Sequence, residues 1–455
     1  MKYSEFAYIH TIGCQMNVYD SEKLMAILSS LGYEKTDDIH KADMVVCNTC
    51  SIRHKAQEKA FSFLGRLTKL KKTKPELIGV MAGCVAQQEG EKAFERIPHL
   101  DIVLGTRAFS RFARHIEAVK SGRQKVTDTA DSSVIYEVMP ETLGFDENQI
   151  SRFVTIMQGC ENFCTYCVVP YVRGTERSRE PENIIEEITA MAASGVKEVT
   201  LLGQNVNSYG KKEGKISFPR LLEKINQIQG IQRIRFATSH PKDLSMDLIC
   251  AIRDMDKVCN HLHLPVQSGS NAILKKMNRG YTRETYLKRI IDLKTQCPDI
   301  GLSTDMIVGF PSETRQDFED TMNLLGEIEY DSIFAFAYSD RSSAPAAKFS
   351  DQIDEEIKRK RLNELLERQD YYSRKNNEKL TGKTVDVLVE GASAKKRDGF
   401  EAENKNIKQM SGRTQSNKIV HFPSENASIG DIIKIKIENA YLHSLWGTPA
   451  EIGEK

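Results

Sequence analysis

The sequence has no apolar run approaching the ~18 residues that a membrane-spanning helix needs, so it is not expected to cross a bilayer. It has almost no excess of either charge: 64 Lys and Arg stand against 63 Asp and Glu, a net +1. A polyanion therefore has to be met by a local patch, because the molecule as a whole exerts no field on it. Cysteine is too scarce for a disulfide scaffold, at ten in 455 residues, which excludes a small secreted module and points to a reducing, cytoplasmic location. The opening residues Met1-Lys2-Tyr3-Ser4-Glu5 do not read as a signal peptide. What remains is 28% charged and 40% hydrophobic residues, in a chain long enough for two or three cored domains.

The few cysteines are placed with purpose. Cys160, Cys164 and Cys167 form a C-x3-C-x2-C triplet within Gln158-Gly159-Cys160-Glu161-Asn162-Phe163-Cys164-Thr165-Tyr166-Cys167. Cubane [4Fe–4S] clusters usually take four cysteines, so three leave one iron without a protein ligand. An open position on a metal marks a catalytic centre, and the natural occupant here is S-adenosylmethionine. The alternatives at this point are a zinc site or three buried thiols; zinc prefers four ligands, often as two C-x2-C pairs, and no second pair lies nearby.

Upstream, strands alternate with helices, which predicts a parallel sheet. Phe6–Ile12 ends at Gly13-Cys14; a helix follows with Asp20 or Ser21 as its expected cap and Leu24, Ile27, Leu28 and Leu31 as its apolar stripe. Asp43–Val46 ends near Cys50 and leads into a helix to about Leu70. Leu77–Met81 ends at Gly83-Cys84, with a helix to about Arg96, and Ile102–Leu104 is a fourth strand. Cys14, Cys50 and Cys84 thus recur one βα unit apart, each just past a strand. In an open parallel sheet those strand ends share one edge, where ligands bind, so the three thiols are expected to meet and hold a second cluster with an open iron. Cys47 continues an apolar run and reads as strand core, although Cys47-Asn48-Thr49-Cys50 is formally a C-x-x-C pair. Cys250, Cys259 and Cys297 read as core thiols.

From Phe153 the alternation resumes: strands at Phe153–Met157, Val199–Leu202, Ile234–Ala237, His261–Leu264, Ser303–Val308 and Ile333–Phe336, with helices near 182–193, 219–228, 244–253, 283–296 and 313–328. Six units are too few to close an eight-stranded barrel, so a partial (βα)6 barrel is predicted, with active groups at the strand C-termini. Candidate S-adenosylmethionine contacts there are Tyr166, Gln204, Asn205, Ser239, Gln267 and Gly309. Gln204 and Asn205 suit its methionyl or ribose end, Tyr166 its adenine face, and Gly309 a close backbone approach. Glu161, Arg173, Glu176, Arg177 and Arg179 crowd the flank of the triplet, with a solvated face as the plain alternative.

A charged helix is predicted over about 354–380, with Leu362, Leu365 and Leu366 on one face. Alternating Val385, Val387, Val389 and Ile433, Ile435, Ile437, with Ile419–Phe422, predict a small β-barrel. Lys395, Lys396, Arg397, Lys405, Lys408, Arg413 and Lys418 on its connections suggest nucleic-acid binding. Arg66, Lys69, Lys71, Lys72 and Lys74 form a second basic patch.

Taken together the chain resembles the radical S-adenosylmethionine methylthiotransferase family over nearly its whole length. Gly13-Cys14-Gln15-Met16-Asn17, Asn48-Thr49-Cys50-Ser51-Ile52-Arg53 and Gly159–Tyr171 are similar to the MiaB-type branch, which modifies tRNA. The ribosomal-protein branch typically carries Pro-Lys-Asn after its first cysteine and the threonylcarbamoyl-adenosine branch Lys-Val-Asn; those two are the alternatives. Cys47 and His54 occupy positions the family does not require. The resemblance implies an α/β multi-domain layout: an auxiliary-cluster domain over 1–122, a linker over 123–145, a radical core over 146–377 and a TRAM barrel over 378–447. It implies two [4Fe–4S] clusters, on Cys14, Cys50, Cys84 and on Cys160, Cys164, Cys167, with S-adenosylmethionine as cosubstrate. The implied reaction is methylthiolation at C2 of N6-isopentenyladenosine 37 in the tRNA anticodon stem-loop. The implied partner for reduction is a donor such as flavodoxin or ferredoxin, and the enzyme is expected to act as a monomer.

Overall fold

The computed structural model describes residues 5–51, 54–122, 125–132, 135–137, 149–341, 343–394 and 407–450. Lys395, Lys396, Arg397 and Lys405 of the expected basic loop lie outside the described residues.

Six strands, β1 (Glu5–Ile12), β2 (Tyr33–Lys35), β3 (Met44–Thr49), β4 (Ile78–Gly83), β5 (Ile102–Leu104) and β6 (Val126–Asp128), form one sheet in the order β2-β1-β3-β4-β5-β6. All are parallel. β3 and β4 are apolar throughout most of their length and buried at every residue, because helices cover both faces. One core joins Leu24, Leu28 and Phe112 to Val46 and Val80; the other joins Phe61, Leu64 and Leu67 to Val45, Cys47 and Met81.

Three details differ from expectation. β6 lies inside the stretch read as a linker and pairs with β5, Ile102 opposite Val126; a three-residue edge strand is too short to display alternation. The helix after β1 begins at Gln15, not near Asp20 or Ser21, which lie buried inside it. Cys14 is its cap, with Asn17 Oδ1 accepting the Cys14 N–H at 3.2 Å. The helix expected to reach Arg96 breaks at Gly90 into Cys84–Glu89 and Lys92–Arg96.

The core domain carries β7 (Ser151–Thr155), the ribbon β8 (Met157–Gln158) and β9 (Arg177–Ser178), then β10 (Glu198–Leu202), β11 (Arg233–Phe236), β12 (His261–His263), β13 (Gly301–Val308) and β14 (Ser332–Ala337). The parallel sheets β7-β10-β11 and β12-β13-β14 are joined by a bridge between Ile234 and Val258. This is the expected six-stranded partial barrel. The helices Pro181–Ala193, Phe218–Asn226, Met246–Asp254, Arg283–Gln296 and Arg315–Ile328 fall where periodicity put them.

The helix Glu355–Glu378 runs beside β14, where Gln369 and Ser373 donate to the Tyr330 and Asp331 carbonyls. Leu365 is buried, whereas Leu366, one residue on and so about 100° around the helix, is exposed. The strands β15 (Thr384–Ala392), β16 (Lys408–Thr414), β17 (Ile419–Ser424), β18 (Ile432–Ala440) and β19 (Leu445–Pro449) close into the expected small barrel. Its β16–β17 turn packs against the N-terminal ends of the core strands. A Cβ on Gly301, the first residue of β13, would lie 2.7 Å from the Ser416 carbonyl.

Candidate functional site

Register places the first thiol group. Ile12 stands opposite Thr49, and Thr49 opposite Gly83, so three adjacent strands end in one row. Neighbouring strands lie about 4.8 Å apart; Cys14, Cys50 and Cys84 therefore follow within roughly 10 Å along one edge. Gly83 has φ +91° and a Cβ there would meet the Thr49 carbonyl at 2.5 Å, so only glycine lets the backbone turn into Cys84. The Cys50 thiol hydrogen-bonds to Cys14 and draws its pKa down to about 6, with burial opposing and Arg173 assisting. Burial pushes Cys84 up, against the Arg173 charge.

The second group sits on the loop that β8 and β9 close at its base, Met157 opposite Ser178 and Gln158 opposite Arg177. Gly159, at φ +82°, would place a Cβ 2.0 Å from the Thr175 carbonyl, again leaving glycine alone. Asn278 Nδ2 donates to the Asn162 and Phe163 carbonyls and steadies the loop from the core side. Burial raises Cys160 and takes Cys167 up to about 12.

Both groups open on one cavity of about 270 Å³, lined by Cys14, Cys84, Cys160, Cys164 and Cys167 among others. Among the described residues no three Cys, His, Asp or Glu side chains converge on one ion-sized point. None of the ten cysteines is in a disulfide. Cys47 is core, as expected, its thiol pushed up by burial.

The other candidates divide. Ser239 and Gln267 line the cavity, and Ser239 Oγ and Gln267 Oε1 are buried with no hydrogen-bond partner among the described residues, a state that asks for a ligand. Gln267 sits at φ +73° and its neighbour in the wall, Thr238, at φ +68°; strain of this kind gathers at ligand sites. Tyr166 lines the cavity and accepts from Arg279 at 3.2 Å. Gln204 also lines it, but its amide already accepts from the Gly159 N–H at 2.5 Å and reaches the Met16 sulfur. Asn205 is not among the residues lining the cavity: its amide donates to Asp243 at 2.7 Å and accepts from the His240 N–H at 3.1 Å, so it braces two loops. Gly309 does not line it either. Its open space is filled by Lys358, whose Cγ would lie 2.3 Å from an added Cβ.

Several of the flanking charges are also not a solvated face. Arg173, Glu176 and Arg179 are buried. Arg173 pairs with Asp20 at 2.7 Å and donates to Cys84 Sγ at 3.3 Å; Arg179 pairs with Glu187 at 2.7 Å. Arg279, which carried no signal in the sequence, donates to Cys164 Sγ at 3.4 Å. Soft thiols with guanidinium groups beside them suit anionic iron–sulfur clusters, and the donor set fits that cofactor.

Two basic expectations change as well. Lys71 and Lys74 are paired with Asp101 and Asp43, and Arg66 lies over the Phe63 ring. On the barrel, Arg413 pairs with Glu390 and Lys418 with Asp331. The Lys418 pair ties the barrel to the core, and the Arg413 pair lies within the barrel.

Comparison with known proteins decides the family. Residues 7–105 match the model described as "Uncharacterized protein family UPF0004", residues 154–325 the Radical SAM superfamily and residues 378–450 the TRAM domain. Proteins called tRNA-2-methylthio-N(6)-dimethylallyladenosine synthase are 49% identical in Desulfosudis oleivorans, over 97% of this chain and 96% of that one, and 46% identical in Syntrophus aciditrophicus, over 97% and 93%. The chain belongs to the radical S-adenosylmethionine tRNA methylthiotransferase family. A radical S-adenosylmethionine methyltransferase, TsrM from Kitasatospora setae, shares the fold at 13% identity, with a TM-score of 0.57 over 76% of this chain and 75% of that one. As a member of its family this methylthiotransferase uses [4Fe–4S] chemistry and S-adenosylmethionine.

Proposed function

We propose that this chain is a tRNA-2-methylthio-N6-dimethylallyladenosine synthase, converting N6-isopentenyladenosine 37 of the anticodon loop to its 2-methylthio derivative. The observation that carries the reading is that thiols of two separate groups, Cys14 and Cys84 of one and Cys160, Cys164 and Cys167 of the other, line one cavity. In it, Cys160, Cys164 and Cys167 hold the cluster that binds S-adenosylmethionine, and Cys14, Cys50 and Cys84 hold the auxiliary cluster. The bound groups supply hydrogen-atom abstraction from an unactivated C–H bond and the sulfur that replaces the hydrogen.

The chain's own residues orient and shield. Ser239 Oγ and Gln267 Oε1 are placed to meet the polar end of S-adenosylmethionine, with Tyr166 beside it. Arg173 and Arg279 offset thiolate charge. A second, adjoining cavity of about 240 Å³ is lined by Val168, Val169, Ile307, Phe336 and Tyr338. Its apolar walls suit the dimethylallyl substituent, which would favour a prenylated adenine over a bare one by at least the roughly 10–200-fold that a single methylene is worth. The target base has to leave the loop's stack to enter. A low-potential one-electron donor such as a flavodoxin or ferredoxin completes the system, and the enzyme works as a cytoplasmic monomer.

The test is a pair of triple variants, with mass spectrometry of tRNA and assay of 5′-deoxyadenosine. Cys160, Cys164 and Cys167 to Ala abolishes 5′-deoxyadenosine formation. Cys14, Cys50 and Cys84 to Ala retains it and yields no methylthio product. Methylthio product from the second variant, with sulfide supplied, would sink the auxiliary role.

A further inference from the structure

We propose that Arg173 is the positioning residue for sulfur transfer: it fixes the auxiliary trio to the radical loop and sets the electrostatics of Cys84. The inference rests on the assignment of Cys14, Cys50 and Cys84 as auxiliary ligands.

Arg173 ends the helix Val169–Arg173, six residues after Cys167, so it belongs to the radical loop. Its side chain is 3% exposed. Nε donates to Cys84 Sγ at 3.3 Å and Nη2 to Asp20 Oδ2 at 2.7 Å. Asp20 lies in the helix Gln15–Ser30, which Cys14 caps. One planar fork thus touches a thiol of the trio and the helix of a second, while its backbone hangs from the third-ligand loop of the other group. The Arg173 carbonyl accepts from Arg107 Nε at 2.8 Å, and Thr106 donates to the Val172 carbonyl at 2.7 Å, so the junction is held from both sides.

Arg279 gives the contrast. It also reaches a cluster thiol, Cys164, but its remaining bonds go to Tyr166, Pro265 and Tyr281 of its own domain. Arg173 alone of the two joins the domains. Its charge faces a single carboxylate, and Nη1 has no partner among the described residues. The side chain lines the cavity, where an anionic cluster would complete its shell. A charge-assisted donor to a ligand sulfur favours the more negative, reduced state of a cluster and fixes ligand direction. Lysine cannot substitute, since a point charge does not bridge two acceptors in the plane a guanidinium spans.

The experiment uses the reconstituted full chain with Arg173→Gln, Arg173→Lys and Asp20→Asn. Iron content, the EPR signal and reduction potential of the auxiliary cluster, and the ratio of 5′-deoxyadenosine to methylthio product are measured. In Arg173→Gln the auxiliary potential moves negative, its EPR signal changes, and the ratio rises by about tenfold or more, as loss of an outer partner of a metal ligand typically does. Arg173→Lys, which keeps the charge and guards against simple unfolding, follows Arg173→Gln in the product ratio. Asp20→Asn gives a smaller change in the same direction. Eight irons in Arg173→Gln with potential and ratio equal to wild type would overturn the inference alone. Four irons in the wild type would instead overturn the underlying auxiliary assignment.

Discussion

The seating of the small barrel on the core rests heavily on two arginines of β11, and replacing one of them has a calculable cost. Arg235 pairs through Nε with Glu198 at 2.7 Å, both side chains at or below 10% exposure. Its Nη1 and Nη2 donate to the Gln415 and Thr414 carbonyls of the barrel turn at 3.1 and 2.8 Å. Beside it Arg233 donates to the carbonyls of Arg413 and Asp386. In Arg235→Ala the Glu198 carboxylate keeps only neutral donors such as Ser151 Oγ, and two carbonyls lose charged donors. Breaking a buried pair from one side costs about 3–5 kcal/mol. Each hydrogen bond from a charged group is worth about 1.5–3 kcal/mol alone, but the terms overlap, so about 4 kcal/mol is the expected total. For a unit of this size that lowers Tm by roughly 8–16 °C. Urea unfolding of the full chain reads the energy, and limited proteolysis reads whether residues after 378 are released first. Glu198→Met with Arg235→Met recovers much of the loss, because the pair then leaves no unmatched charge. A midpoint for Arg235→Ala within about 1 kcal/mol of wild type would show that the barrel is not held this way.

Acid loosens the same junction. Burial, then Arg235, His263, Lys418 and Arg413, takes His261 down to about 3, against about 6.5 unfolded. A neutral folded histidine contributes stability that is complete above pH 6.5 and falls as pH drops toward 3, by about 2 kcal/mol at pH 5; His261→Gln flattens the pH 7 to pH 5 difference in urea midpoint, and an unchanged slope refutes the assignment. Phe336→Ala opens the apolar pocket, and the preference for prenylated over unprenylated anticodon stem-loop in kcat/KM falls about tenfold; equal loss on both substrates would place Phe336 elsewhere in the reaction. Gly159→Ala forces a Cβ to 2.0 Å from the Thr175 carbonyl, so iron in the radical loop falls to background while the iron held by the other trio persists.

Much of this was readable from residues because the relevant signals are periodic. Cys14, Cys50 and Cys84 recur at βα intervals, and strand register then forces them together. Gly83 and Gly159 stand visibly before their cysteines, although the carbonyls that require glycine there appear only in the fold. What stayed hidden depends on contacts across the fold. Arg279 is more than a hundred residues from Cys164 in the chain, and nothing local distinguishes it. Arg173 and Arg179 look like surface charge because the sequence does not reveal that Asp20 and Glu187 are buried opposite them. Asn205 and Gly309 sit at strand ends as expected, yet neighbours from other loops use up their polar atoms or their space. β6 escaped notice since three residues at a sheet edge carry no pattern.

The barrel packs at the N-terminal ends of the core strands, whereas the thiol-lined cavity lies at their C-terminal ends. An anticodon stem-loop that reaches both has to pass along the open side of the partial barrel, beside β14. There Phe334 is 53% exposed, its ring edge-to-face with His263 at 5.7 Å. It lies two residues before Phe336 of the apolar pocket, so its face is offered along the strand that leads there. A phenyl ring left open to water between the barrel and the cavity is expected to stack a base next to the one drawn into the cavity. Stacking on such a ring is worth about 1–3 kcal/mol per base by alanine substitution. Phe334→Ala is therefore expected to weaken stem-loop binding about tenfold in fluorescence anisotropy at fixed salt, with Tm unchanged because the ring buries little. The loss should be smaller for a stem-loop abasic at the neighbouring position, since the missing base has nothing to stack. Affinity within twofold of wild type on the intact loop would mean that the RNA takes another path across the protein.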